Sequence, residues 1–163
     1  MDGRIEGEIV QALRLAPFDA AYWPVAIEAA AAACGAASGQ ILAYSRSGIP
    51  TLMAPGFTAD DIGSYLTLGG GDPAINRGMA FMTSPRATPL RPYADHEYLT
   101  EDERRRDLLY NEFFGPRDGS YISVGVMVRK PALTANLSFL RTTPMEQDDR
   151  QATARLLPLF ARA

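Results

Sequence analysis

The 163-residue chain has one cysteine, Cys34, one histidine, His96, and one tryptophan, Trp23. A single cysteine excludes a disulfide framework within the chain and a cysteine-built metal cage. It suits a reducing cytoplasm, the compartment expected here. Long apolar runs are missing too. No stretch of about 18 apolar residues occurs, so no segment is expected to enter a membrane. The polar, acidic start MDGRIEGEIV does not read as a signal peptide. Surplus positive charge is also absent: 16 Lys and Arg stand against 19 Asp and Glu, for a net charge of -3 and a pI near 5.2. That argues against this chain itself gripping nucleic acid, which needs a basic face. The basic run Arg104-Arg105-Arg106 is flanked by Glu101, Asp102, Glu103 and Asp107. GGGDP is not a phosphate loop, because no Gly-Lys-Ser/Thr follows it.

What is present is enough apolar material for a core. The chain is 47% hydrophobic and 21% charged, which fits one folded domain over 1–163. Repeats, low-complexity tracts and internal linkers are not found. Ile5, Ile9, Ala12 and Leu13 form a helical stripe between about 4 and 15. A second helix starts near Pro24, which suits a first turn. Trp23, Ile27, Ala30 and Cys34 share its face, and Gly35 and Gly39 mark its end. QILAYSRS reads as a strand, Gly48-Ile49-Pro50 as a turn and TLMA as a short strand. TADDIGSYLTL, with Thr58 as cap and acids in its first turn, reads as a helix. PRATPLRPYADHEYLT reads as a loop. TEDERRRDLLYNEFFG reads as one helix, capped by Thr100 and stopped at Gly115-Pro116.

Two alternating strands follow. Ile122, Val124, Val126 and Val128 fall on one face of YISVGVMVRK; Tyr121, Ser123, Gly125 and Met127 fall on the other. In ALTANLSFLRT, Leu133, Ala135, Leu137 and Phe139 oppose Thr134, Asn136, Ser138 and Leu140. Lys130-Pro131 between the strands predicts an antiparallel hairpin. A last helix starts at Thr143-Pro144, carries Leu156, Leu157 and Phe160 on its apolar side, and is expected to kink at Pro158. This order predicts an α+β fold, a central antiparallel sheet flanked by helices. The domains called GAF and PAS share that plan.

Three stretches together resemble the N-terminal sensor domains that precede LuxR-type helix-turn-helix modules in bacterial transcriptional regulators. DAAYWPVAIEAAAAACGA is similar to their opening helix, with its Trp-Pro step. DLLYNEFFGPRDGSYISVGVMV resembles their middle, where an aromatic helix end meets a turn and a strand. MEQDDRQATARLLPLFARA resembles their last helix. The resemblance spans most of the chain and implies a regulatory input domain. It implies DNA contact only through a helix-turn-helix module after Ala163, which this chain does not contain, so a truncated piece or a stand-alone relative is expected. YLTLGGGDPAINRG is similar, more distantly, to the autoinducer-binding domains, where an Asp and aromatic neighbours hold an acyl-homoserine lactone. The tryptophans those pockets use, near the Tyr and after the Asp-Pro, are absent here.

Each candidate residue has a plain alternative. Tyr110, Phe113 and Phe114 can share a helix face. Such a stripe packs a core as a rule, or it walls a ligand cavity. Gly125 leaves a gap beside Ser123 and Met127, which suits a pocket. Asp72, before Pro73, either caps a helix or meets a ligand near Asn76 and Tyr65. His96, between acids in ADHEY, is a loop histidine or a general acid/base, yet no second catalytic group is spaced beside it. Cys34 reads as buried and inert. Leu156, Leu157 and Phe160 can serve the core or a dimer seam.

The expectation is a non-enzymatic ligand sensor without cofactor or metal, signalling through its last helix. Its partners are expected to be a small molecule and a second copy of the chain, with no membrane. Candidate ligand contacts are Tyr44, Tyr65, Asp72, Tyr110, Phe113, Phe114 and Met127. The candidate dimer or signalling helix carries Leu156, Leu157 and Phe160. The alternatives are a ligand-free dimerisation or protein-interaction module, and a small enzyme.

Overall fold

The computed structural model describes residues 3–45 and 50–163. Five strands form one antiparallel sheet: β1 (Ser38–Ser45), β2 (Pro50–Met53), β3 (Pro92–Ala94), β4 (Tyr121–Lys130) and β5 (Leu133–Arg141), in the spatial order β2-β1-β5-β4-β3. Helices α1 (Gly3–Leu15), α2 (Tyr22–Ala33) and α6 (Gln147–Arg162) cover one face. The other face carries α3 (Ala59–Thr67), α4 (Arg77–Thr83) and the segment around α5 (Glu101–Arg106). The expected α+β plan is therefore observed. The turn expected at Gly48-Ile49 lies outside the described residues.

The two faces of β5 separate as the alternation predicts. Ala135, Leu137 and Phe139 join Ile9, Ile27, Leu156 and Leu157 in the core beneath α1, α2 and α6. Asn136, Ser138 and Leu140 point to the opposite layer. In β4 the alternation breaks. A bulge falls between Val126 and Val128, so Met127 and Val128 both pack on the helical core that contains Leu137. A bulge inserts one residue on one strand, which shifts every later side chain by one face. The space at Gly125 is taken by α6: a Cβ there would come within 2.4 Å of Leu157 Cδ1.

Three local departures from the sequence reading have physical causes. The stretch read as one helix over 100–115 divides at Asp107, whose backbone is extended (φ -74°, ψ 123°). Its carboxylate Oδ1 accepts from the N–H groups of Leu109 and Tyr110. A capping side chain thus restarts the helix, as a π-helical turn over Tyr110–Phe114. Pro92–Ala94, read as loop, is an edge strand beside β4, a position where a proline's missing N–H is tolerated. α4 is only seven residues long, too short for a periodic stripe to mark it in the sequence; the Asn76 side chain caps it by accepting from Met79 N at 3.0 Å. α6 runs on through Pro158 to Arg162.

Candidate functional site

A cavity lies between the sheet face bearing Gln40, Leu42, Tyr44, Asn136 and Ser138 and the layer formed by α3, α4 and the π-helical turn. Its floor follows from strand register. Gln40, Ser138 and Val124 stand in one cross-strand row; Leu42, Asn136 and Val126 form the next. Three polar side chains on central strands are unusual in a core and leave a hydrogen-bonding floor. About 40 Å³ of the cavity is open to the centre of a water molecule, room for about three waters.

The roof is held by side-chain bonds that sequence spacing does not reveal. Asn76 Nδ2 donates to the Tyr65 hydroxyl at 2.9 Å and to the Gly70 carbonyl at 2.8 Å. Gly70 lies against the Tyr65 ring; a Cβ there would come within 2.3 Å of it. The Tyr110 hydroxyl donates to Asp95 Oδ2 at 3.2 Å, and the same oxygen accepts from Ile122 N. Asp95 is 3% exposed. Burial pushes the Tyr44, Tyr65 and Tyr98 hydroxyls well above the ordinary tyrosine range, and burial with the neighbouring Tyr98 and Asp95 does the same for Tyr110. All four remain protonated and neutral around the cavity.

Of the residues read from the sequence as ligand contacts, Tyr44, Tyr65, Tyr110 and Phe114 line this cavity. Phe113 sits behind it, ring to ring with Tyr65 at 5.2 Å, Phe57 at 5.4 Å and Phe114 at 5.3 Å. Asp72 is exposed, and its Oδ1 accepts from Ala74 N at 2.8 Å in a local turn. Met127 packs on the opposite side of the sheet. Leu156, Leu157 and Phe160 are buried within the chain against that same side. Gln40, Tyr98, Asn136 and Ser138 are not among the contacts expected from the sequence, and Asn76 is expected there only as a neighbour of Asp72. For Asn136 and Ser138 the signal was there: polar residues on the alternating inner face of a central strand.

Catalytic groups are not gathered here. His96 is exposed on the 3-10 turn Asp95–Glu97, while Cys34 is buried at the end of α2, with Sγ 3.6 Å from Thr153 Oγ1. Burial raises the Cys34 thiol above its ordinary value, which disfavours the reactive thiolate. Among the described residues, no three His, Cys, Asp or Glu side chains group to hold a metal ion. No described helix is long and apolar enough to cross a membrane.

No family model matches the chain. A search of curated proteins also returns no match. Solved structures do match in fold. The chain superposes on the crystal structure of the VqsR LBD domain from Pseudomonas aeruginosa with a TM-score of 0.59 and 15% identity, over 98% of this chain and 95% of that one. It superposes on CepR2 from Burkholderia cenocepacia, described as an N-acylhomoserine lactone dependent LuxR family transcription factor, with a TM-score of 0.62 and 21% identity, over 98% and 92%. The fold is thus that of the ligand-binding domains of LuxR-type regulators, over the whole length of this chain.

Proposed function

We propose that the chain is the ligand-sensing domain of a LuxR-type bacterial transcriptional regulator, without catalytic activity of its own. The observation that carries this reading is the cavity on the inner sheet face, with its neutral polar floor and aromatic roof. Its mixture of apolar walls and a few convergent polar groups is what small-molecule sites offer. A ligand-free dimerisation module would be expected to pack this layer solidly.

Signalling is proposed to run to α6. The 3-10 turn Asp95–Glu97 ties the cavity to that helix. Asp95 holds the Tyr110 hydroxyl, and Glu97 Oε1 accepts from Arg150 Nη2 of α6 at 2.8 Å. Arg150 Nη1 also donates to the Pro92 carbonyl at 3.0 Å. A ligand that binds one setting of Tyr110 better than another would bias the first turns of α6, and through them a DNA-binding module joined after it. CepR2 is described as dependent on an N-acylhomoserine lactone. The 40 Å³ cavity in this chain has no room for a lactone with a long acyl tail as it stands.

Native mass spectrometry of protein purified from a rich host tests the reading. A mass excess that disappears on denaturation is expected, and the same spectrum reports the homodimer that the proposal includes. A clean apo mass in dimeric form would favour the interaction-module alternative.

A further inference from the structure

Asn136 lies in the middle of β5, opposite Leu42 of β1 and Val126 of β4. It is 3% exposed and lines the cavity. Its Oδ1 has no hydrogen-bond partner in the protein. Folded proteins rarely leave a buried acceptor unpaired unless water, an ion or a ligand completes it. Ser123 Oγ and Arg129 Nε are also without partners, but neither residue lines this cavity.

Several other polar groups around the cavity are already engaged. The Tyr65 hydroxyl accepts from Asn76, the Tyr110 hydroxyl donates to Asp95, and Asp107 Oδ1 accepts from two backbone N–H groups. The Tyr44 hydroxyl sits beside the Asn136 amide. Ionic groups at the cavity are similarly committed. Arg77 is at the exposed rim and pairs with Glu103 at 2.6 Å. A charged ligand at the level of Asn136 would find the ionic groups of the cavity already bonded, Arg77 to Glu103 and Asp107 to two backbone N–H groups, and a poorly compensated buried charge is disfavoured.

We infer that the cavity takes a compact, uncharged ring compound that donates an N–H or O–H hydrogen bond to Asn136 Oδ1. The inference rests on the ligand-sensing reading above and narrows it to one chemical class. The compactness is set by the small volume between the sheet floor and the roof, the ring by the aromatic side chains of Tyr65, Tyr110 and Phe114 that line it; the donor is set by the orphaned oxygen.

Two near-isosteric probes test it on the full chain. Pyrrole is a neutral five-membered ring with one N–H; furan has nearly the same shape with an oxygen in place of that donor. Pyrrole is expected to bind saturably in titration calorimetry, about tenfold tighter than furan, the effect of one good buried hydrogen bond. Asn136→Leu is expected to bring the two affinities together. If that variant fails to fold, the side-chain amide resonance of Asn136 in the wild type carries the test, shifting with pyrrole and not with furan. Equal binding of both probes to the wild type overturns the donor inference and leaves ligand sensing standing. Binding of neither probe, with a charged or long-chain molecule captured in the native mass spectrum, overturns the class alone. Binding of neither with a clean apo mass overturns both readings.

Discussion

Asn76 and Tyr65 are joined by a 2.9 Å hydrogen bond across the loop between α3 and α4. One side chain does three jobs: its Oδ1 caps α4, and its Nδ2 holds both the Tyr65 hydroxyl and the Gly70 carbonyl. Asn76→Ala removes a helix cap and strips partners from a buried hydroxyl and carbonyl. A loss of about 2–3 kcal/mol is expected, read as a lower urea midpoint at unchanged slope. A loss below about 0.5 kcal/mol would show that the roof does not depend on this residue.

Gly125 and Leu157 form a matched pair, with α6 seated where β4 has no side chain. Gly125→Ala overpacks the contact and should cost about 1–3 kcal/mol. Combining it with Leu157→Ala should relieve the clash, so the double variant should be more stable than the sum of the two single effects. Strict additivity in thermal melts would refute the direct contact.

Arg141 is 3% exposed and binds three elements together. Its Nη1 donates to the Cys34 carbonyl and its Nη2 to Asp149 Oδ2, both at 2.5 Å, and its Nε donates to the Thr143 carbonyl. Arg141→Met leaves the carboxylate and the carbonyl without that donor. A destabilisation of about 3 kcal/mol is expected, with hydrogen exchange rising first at the start of α6. Uniform exchange across the chain would argue against a local latch.

Asp61 supplies an acid-dependent part of the stability. Its carboxyl is drawn down from 3.8 to about 2, first by the Thr58 backbone N–H, then by Arg117 and the Thr58 hydroxyl. Because the folded value lies below the unfolded one, the contribution is fully present above 3.8 and is lost as pH falls toward about 2. The melting-temperature gap between wild type and Asp61→Asn should therefore be constant above about pH 4 and close by about pH 2. A gap that persists unchanged in strong acid would assign the effect to something other than ionisation.

The chain's own pattern is enough to place the main hairpin, the first two helices and the last one. Period-2 alternation in 133–141 and helical stripes such as Ile9 with Leu13 are local signals, and each element buries the face it advertises. Thr58 and Thr100 likewise announce their helices, both closing capping boxes with the residue three positions on. Tyr44, Tyr65, Tyr110 and Phe114 could be singled out as aromatic residues, but nothing local separates them from Phe113, one position from Phe114 and on the far side of the ring cluster.

Tertiary structure alone decided the rest. Whether Gly125 opens a pocket or receives a side chain depends on where α6 seats Leu157, more than thirty residues later in the chain. Val128 left the inner face, to join Met127 on the α6 side, because a single inserted residue reversed the alternation after Val126. Asn136 acquires meaning only when β1, β4 and an aromatic roof from three other segments surround its oxygen without bonding it. Periodicity and capping act over a few residues and can be read along a line; cavities, orphaned acceptors and helix seats are made by residues far apart in sequence, and only packing brings them together.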